Sequence, residues 1–191
     1  MTALTLNLHP AIELTDEQFF QLCQNNRDLR LERTAAGELI IMPPTGWKSG
    51  NRNSRLTQRL GNWTDADGTG IAFDSSTGFK LPNGANRSPD AAWITKERLT
   101  ALNPHPDKFL PLVPDFVGEL RSASDDLSTL QTKMQEYIDC GARLGWLIDP
   151  QNQQVEIYHL GKNVEVLQSP SVLLGEDVLP GFVLNLDQIL N

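Results

Sequence analysis

Four residues in this chain have side chains suited to chemistry on a phosphate group. Asp90 stands at the start of an apolar segment, Glu119 lies within a second one, and Arg121 follows two positions later. Lys133 lies further along, in a segment with helical spacing of apolar residues. Carboxylates on neighbouring strands can share a hard divalent cation, and basic side chains can stabilise charge that develops on a phosphate. These residue types predict a metal-dependent phosphodiesterase.

The pair Pro-Asp occurs three times, at Asp90, Asp107 and Asp115, so the pair alone does not identify the first acid. Ligands of one Mg²⁺ must each approach it to ~2.1 Å. Asp115 and Glu119 are four residues apart on one predicted strand, a separation of about 13 Å. Asp107 lies in a proline-rich loop with nothing to position it. We therefore expect Asp90, which begins a separate strand, to converge with Glu119.

The segment from Asp115 to Ser122 is typical of a strand whose side chains alternate between two faces. Glu119 and Arg121 then lie on the same face. Two interpretations remain open at this point. The two side chains pair with each other at the sheet surface, or Glu119 binds a metal and Arg121 contacts a phosphate.

The next segment predicts a helix that ends near Cys140 and is capped by Ser122–Asp125. Its buried stripe comprises Leu127, Leu130, Met134, Tyr137 and Ile138. Lys133 lies at the border of that stripe. Its aliphatic stem can cover apolar surface with the ammonium in water, or the ammonium can reach the metal site. Tyr137, one turn later, is more typical of a core residue than of a catalytic one, and we keep it as an auxiliary candidate.

The remaining patterns predict a mixed α/β fold with one central sheet, in a single domain of residues 1–191. A capping box at Thr15 begins a short helix that runs to about Gln24. A longer helix is predicted over about Lys48–Asn62, with Leu56, Leu60 and Trp63 inward. Strands are predicted near Leu29–Thr34, Glu38–Met42, Thr69–Leu81, Pro89–Thr95, Leu144–Pro150, Gln154–Leu160 and Asn163–Gln168, with short strands continuing to Val183.

The longer helix carries a basic stripe formed by Lys48, Arg52, Arg55 and Arg59, which share one helical face. No acidic residue occurs between Glu38 and Asp65, although the whole chain has a net charge of −8. An acidic chain is unusual for a protein that binds nucleic acid. The stripe is either a solvated surface or a set of phosphate contacts.

Several other classes of site are disfavoured by the sequence. Its two cysteines and three histidines lack the spacing of a metal site. No nucleotide-binding glycine-rich loop is present. The N-terminus does not have the pattern of a secretion signal, and no apolar run is long enough for a membrane span. We expect a protein of the reducing cytoplasm with no membrane partner.

The chain resembles the PD-(D/E)xK nuclease superfamily and, more closely, the Uma-type group of restriction-endonuclease-like proteins. The resemblance implies a restriction-endonuclease-like fold, in which helices flank a central mixed sheet. The motifs that carry it are distributed along most of the chain: Leu31–Glu32, Gly37–Pro44, Ser88–Asp90, Pro114–Asp125, Lys133–Tyr137 and Gly145–Pro150.

The resemblance also implies roles for individual residues. Asp90 and Glu119 would hold Mg²⁺ or Mn²⁺. The chain departs from the superfamily at Arg121, where the pattern has lysine, and arginine cannot deprotonate to act as a base. Lys133 would then supply the ammonium group from the helix. An upstream glutamate often completes such sites, and both Glu32 and Glu38 are candidates.

The implied substrate is nucleic acid, with DNA as the favoured form, and the resemblance is compatible with a homodimer that cuts both strands. Two alternatives stay open. Arg121 in place of lysine is compatible with an inactive endonuclease-like binding or assembly module. A hydrolase of a small phosphorylated substrate would instead have a closed pocket.

Overall fold

The fold is built around a mixed sheet of six strands. The computed structural model describes residues 3–191. In chain order the described elements are β1 (Leu4–Leu6), α1 (Asp16–Asn25), β2 (Arg30–Arg33), β3 (Leu39–Met42), α2 (Trp47–Asp67), β4 (Gly70–Asp74), β5 (Phe79–Lys80), β6 (Asn86–Arg87), β7 (Ala91–Thr95), α3 (Lys96–Leu102), β8 (Phe116–Leu120), α4 (Leu127–Asp139), β9 (Leu144–Asp149), β10 (Gln154–His159), β11 (Glu165–Gln168), β12 (Val172–Leu174) and β13 (Val183–Asn185).

The central sheet has the strand order β11-β10-β9-β8-β7-β4. Strands β8 and β9 are parallel, and α4 forms the crossover between them. The other neighbouring pairs of this sheet are antiparallel. A parallel pair requires such a crossover connection, and this crossover places α4 against one face of the sheet beside β8.

Apolar side chains cover both faces of the central sheet. Phe116 and Leu120 of β8 pack on one face in a cluster that includes Leu56 of α2. Val117 packs on the opposite face in a cluster that includes Tyr137 of α4. The predicted alternation of side chains along this strand is therefore confirmed, and Glu119 lies on the α4 side.

Helix α4 lies very close to the sheet where it crosses Gly145. A Cβ atom at this position would lie 2.5 Å from the terminal methyl group of Met134. Glycine permits this approach because it has no Cβ atom. Lys133, the residue before Met134, can therefore reach Glu119 on the adjacent strand β8.

A second sheet, with the order β1-β3-β2-β6-β5, lies beside the central one. Strand β2 meets β6 through the pair Arg33 and Asn86. The chain then runs from β6 through Ser88 to β7 in the central sheet. This connection brings Glu32 of the second sheet close to the segment that carries Asp90. The remaining sheet consists of β12 and β13.

The structure confirms some predicted boundaries and corrects others. The capping box at Thr15 is present, with Gln18 as its reciprocal partner. Helix α2 extends beyond its predicted end to Asp67 and stops at Gly68, whose φ of 72° suits glycine. The predicted cap of α4 was wrong, because Asp126 accepts the N–H of Thr129 and is the N-cap residue.

The prediction of one strand over Thr69–Leu81 was also wrong. The chain leaves β4 after Asp74, whose side chain accepts hydrogen bonds from the backbone and hydroxyl of Ser76 and so fixes a turn. Helix α3 was not predicted, although Thr95 caps it through the N–H of Arg98. Within residues 3–191, no helix combines the length and apolar character needed to cross a membrane.

Candidate active site

Four structural elements bring charged residues together at one end of strand β8. Asp90 immediately precedes β7, and its neighbour Ala91 is paired with Gly118 of β8. Oδ2 of Asp90 accepts the backbone N–H of Leu120 at 2.9 Å. The antiparallel register thus places Asp90 beside Glu119, as the sequence predicted. Strand β2 and helix α4 contribute the other members of the cluster.

Lys133 lies at the centre of this cluster. Its Nζ is 2.8 Å from Oε1 of Glu119 and 2.9 Å from Oε1 of Glu32. The Lys133 side chain is only 11% exposed. Of the two interpretations from sequence, the structure shows the one in which the ammonium reaches inward to the carboxylates.

The structure also shows which of the two upstream glutamates, Glu32 or Glu38, belongs to the cluster. Glu32 is almost fully buried and accepts hydrogen bonds from Lys133, from the backbone N–H of Ser88 at 3.0 Å and from Arg87 at 3.1 Å. Glu38 instead bonds to Thr34 within the turn that joins β2 to β3. Glu32 therefore belongs to the cluster and Glu38 does not.

Tyr137 contacts the cluster from the turn of α4 that follows Lys133. Its hydroxyl donates to Oε1 of Glu119 at 3.1 Å, while its ring is buried in the core. Tyr137 thus has both the predicted core position and a polar contact with the site. Oε2 of Glu119 accepts no hydrogen bond from residues 3–191.

Arg121 lies apart from this cluster. Strand β8 ends at Leu120, and the guanidinium of Arg121 contacts Oδ2 of Asp149 at 2.8 Å and the backbone oxygen of Asp125. Asp149 is fully buried, so it requires a compensating charge. The alternative in which Glu119 and Arg121 pair with each other is therefore wrong. A phosphate contact by Arg121 stays a prediction.

The basic stripe of α2 does not join the cluster either. Asn53 of the same helix donates to Oδ1 of Asp90 at 2.8 Å. At 3.6 residues per turn, the stripe lies roughly 100–160° around the helix from Asn53. Arg59 donates to the backbone oxygens of Asn185 and Asp187, and Arg55 donates to Asn51 at 3.1 Å. Lys48 and Arg52, nearer the start of the helix, complete the stripe.

The carboxyl groups of the cluster have strongly perturbed protonation. Burial raises the pKa of Glu119 to about 7; Lys133 opposes this shift, and the charges of Asp90 and Glu32 add to it. Burial also raises the pKa of Asp90, although the N–H of Leu120 opposes it. Burial acts in the same direction on Glu32, but the charges of Lys133 and Arg87 outweigh it and hold that pKa below its usual range.

Asp90 and Glu119 are the cluster members best suited to bind a divalent cation. Within residues 3–191 no group of three or more His, Cys, Asp or Glu side chains is arranged to hold a metal. Glu32 is less suited because it accepts three donors, with Ser88 and Lys133 on Oε1 and Arg87 on Oε2, and two of these donors are cations. Two buried carboxylates with raised pKa values nevertheless supply hard oxygen ligands that a cation would neutralise. Mg²⁺ is commonly held by one or two carboxylates and retains several waters, so this pair fits it.

Four residues around the site were missed from sequence, namely Asn53, Thr57, Arg87 and Glu136. Asn53 supports Asp90, while Arg87 bridges Glu32 and Glu136, with 2.6 Å between its Nε and Glu136. Proximity of Arg87 to the Ser-Pro-Asp motif was an available signal. The spacing of Asn53 and Thr57 was another, because both contact Asp90 from successive turns of α2.

The chain belongs to the Uma2 family, described as "Putative restriction endonuclease", whose sequence profile matches residues 16–187. This match confirms the resemblance inferred from the motifs. A search of curated proteins found no match.

A solved structure agrees with the predicted fold class. It is described as a "putative nuclease belonging to DUF820" from Anabaena variabilis ATCC 29413. The TM-score is 0.77 at 17% sequence identity, and the similarity covers 93% of this chain and 97% of that chain. At this identity the similarity shows the fold, which is restriction-endonuclease-like.

Proposed function

We propose that this protein hydrolyses phosphodiester bonds in nucleic acid, preferentially DNA, with Mg²⁺ or Mn²⁺ held by Asp90 and Glu119. The observation that carries the proposal is the convergence of these carboxylates with Lys133 from three separate elements. Family membership supports a nuclease-like function. In this proposal the three residues act as a PD-(D/E)xK site, with the lysine supplied by α4.

Asp90 and Glu119 bind the cation through oxygens that remain available. Each oxygen of Asp90 accepts one donor, from Asn53 and Leu120, and a carboxylate oxygen has capacity for more than one contact. Both described contacts of Glu119 fall on Oε1 and leave Oε2 open. A bound divalent cation would polarise a phosphate oxygen and lower the pKa of a coordinated water.

Lys133 acts as a cation in this proposal and not as a base. Burial lowers its pKa, but the charges of Glu119 and Glu32 outweigh that effect and raise the pKa above the usual lysine value. The ammonium group therefore stays protonated at neutral pH. It stabilises negative charge that develops on the phosphate, as preorganised donors do in other enzymes.

Glu32 and Arg87 position Lys133. Glu32 fixes the ammonium beside Glu119, and Arg87 supplies a second charge that keeps Glu32 ionised. Glu136 in turn contacts Arg87 from α4. These residues act through Lys133 and are positioning residues.

The test measures Mn²⁺ binding by titration calorimetry and then cleavage of labelled DNA. The variants are wild type, the double variant Asp90→Asn/Glu119→Gln, and Asp107→Asn, which changes another Pro-Asp pair in an exposed loop. We expect binding and cleavage in wild type and Asp107→Asn, with loss of both in the double variant. Cleavage that persists in the double variant would refute the proposal.

One observation favours a second function, that of a binding module that does not cleave. Lys133 already contacts two of the three carboxylates, Glu32 and Glu119, and so offsets their charge without a metal ion. A protein with this function would bind DNA in the presence of Mg²⁺ and leave it intact. Intact DNA after prolonged incubation, with binding retained, would favour it.

A further inference from the structure

Trp47 is a large aromatic side chain that the catalytic cluster does not use. It is the first residue of α2 and is 79% exposed. Tryptophan is usually well buried in folded proteins. The other tryptophans follow this rule, since Trp93 and Trp146 lie within the core and Trp63 packs against it. Trp47 is therefore the exception among the four tryptophans of the chain.

The surroundings of Trp47 are electropositive. Nζ of Lys48 lies 5.7 Å from the centroid of the Trp47 ring. The first turn of α2 has no acidic residue, and Gly46 provides no side-chain cap. The first N–H groups of the helix and its dipole thus remain available to an anion. A ligand that combines a flat apolar ring with a negative charge matches this surface.

Trp47 lies on the same helix as a residue that contacts the catalytic cluster. Asn53, which contacts Asp90, lies six positions further along that helix. This separation is about 9 Å along the helix axis and about 120° around it, at 1.5 Å and 100° per residue. The axial distance corresponds to about three stacked nucleotides at ~3.4 Å each. A strand stacked on Trp47 would therefore have to pass about a third of a turn around α2 to enter the cluster.

We propose that Trp47 and Lys48 form a stacking platform for an unpaired nucleobase, and that the protein thereby prefers single-stranded nucleic acid or single-stranded segments. The indole ring stacks on the base, and Lys48 contacts an adjoining phosphate. Such stacking tolerates different sequences because every base has a π face. In an intact duplex the bases are already stacked and paired with each other, so none of them is free to stack on Trp47. The inference deepens the proposed function and relies on it for the position of the cleaved bond.

The test uses binding without cleavage, so that the two proposals can fail separately. Wild type, Trp47→Ala, Trp47→Phe and Leu160→Ala are titrated in EDTA with labelled single-stranded oligothymidine and with a blunt duplex. Leu160 is a suitable control because it is an exposed apolar residue in the turn that follows β10. Fluorescence anisotropy gives the dissociation constants. The difference in intrinsic tryptophan fluorescence between wild type and Trp47→Phe reports on the Trp47 indole, because the chain has three other tryptophans.

We expect wild type to bind the single strand more tightly than the duplex. Trp47→Ala should weaken single-strand binding by about 5- to 160-fold, the range expected for loss of one stacked base. Trp47→Phe should retain most of the affinity but lose the fluorescence quenching, whereas Leu160→Ala should behave as wild type. Equal affinity of wild type and Trp47→Ala would overturn the platform.

Two further outcomes also decide the matter. DNA cleavage by wild type in Mg²⁺, combined with no effect of Trp47→Ala on binding, overturns the platform and leaves the proposed function intact. Quenching of tryptophan fluorescence by iodide gives the second outcome. If a higher protein concentration alone protects Trp47 from iodide, and oligothymidine has no effect, the surface is a contact between copies of the chain. That result also overturns the platform.

Discussion

The hydroxyl of Tyr137 lies 3.1 Å from Oε1 of Glu119, the same oxygen that Nζ of Lys133 contacts at 2.8 Å. Residues four apart on a helix lie on one face. Two successive turns of α4 therefore hold a single carboxylate oxygen and fix the orientation of Glu119. This relationship makes α4 part of the site as well as part of the core.

Replacing Lys133 by methionine should damage both stability and activity. The change keeps a long unbranched side chain but leaves Glu32 and Glu119 buried without their shared cation. Removing one partner of a buried ion pair typically costs about 3–5 kcal/mol. We expect a loss of that size in the free energy of unfolding by urea, and no cleavage. Lys108→Met, which removes an exposed pair with Glu17, should leave the free energy of unfolding nearly unchanged.

Tyr137→Phe should have a smaller effect. The ring remains in the core, and the loss is one hydrogen bond to Glu119, worth about 1 kcal/mol. We also expect a lower rate of DNA cleavage, because Glu119 loses one of the donors that orient it. Tyr158→Phe is the control, since its hydroxyl donates to Glu156 outside the cluster. Equal cleavage rates in these two variants would contradict a role for Tyr137 in the site.

The raised pKa of Glu119 predicts a specific dependence of stability on pH in EDTA. Its carboxyl has a pKa of about 7 in the folded chain and about 4.5 as the reference value for the unfolded chain. The folded chain therefore binds more protons between these values, and stability falls as the pH rises through that window. A shift of this size corresponds to about 3 kcal/mol.

The matched variant for this prediction is Glu119→Gln, which cannot titrate. Urea unfolding from pH 4 to pH 8 should show wild type losing stability relative to the variant as the pH rises. A constant difference between the two proteins across this range would show that Glu119 titrates normally.

Arg121→Met should reduce stability without abolishing metal binding. The variant leaves the fully buried Asp149 without its charged partner, at a cost of about 3–5 kcal/mol. Titration calorimetry at low temperature should still detect Mn²⁺, because Asp90 and Glu119 do not contact Arg121. Arg143→Met, which breaks an exposed pair with Asp177, provides the comparison for unfolding. Loss of Mn²⁺ binding in folded Arg121→Met would place Arg121 in the site after all.

The periodicity of the sequence was sufficient to predict much of the site's framework. Strand alternation placed Glu119 on one face of β8, and helical spacing placed Lys133 beside the buried stripe of α4. Geometry favoured Asp90 over Asp107 and Asp115. These inferences about position could be made because each depends on the regular spacing of side chains within one strand or helix. The choice of Asp90 also depends on its lying on a different strand from Glu119.

The contacts that could not be predicted join residues far apart in the chain. Arg87 and Glu32 are 55 positions apart, and Asn53 and Asp90 are 37 apart. The partner of Arg121 depends on the parallel pairing of β8 with β9, which sets Leu120 opposite Ile148 and brings Asp149 nearby. No local pattern encodes such registers, and they arise only when the sheets are assembled.

Glu32 and Lys133 are 101 positions apart, yet they share one ion pair. During synthesis from the N-terminus, the acidic members of the site are made before the helix that supplies its cation. A nascent chain that has not yet reached α4 therefore has carboxylates without the ammonium group. On the proposed function, hydrolytic competence therefore waits until α4 has been translated and has packed against the sheet.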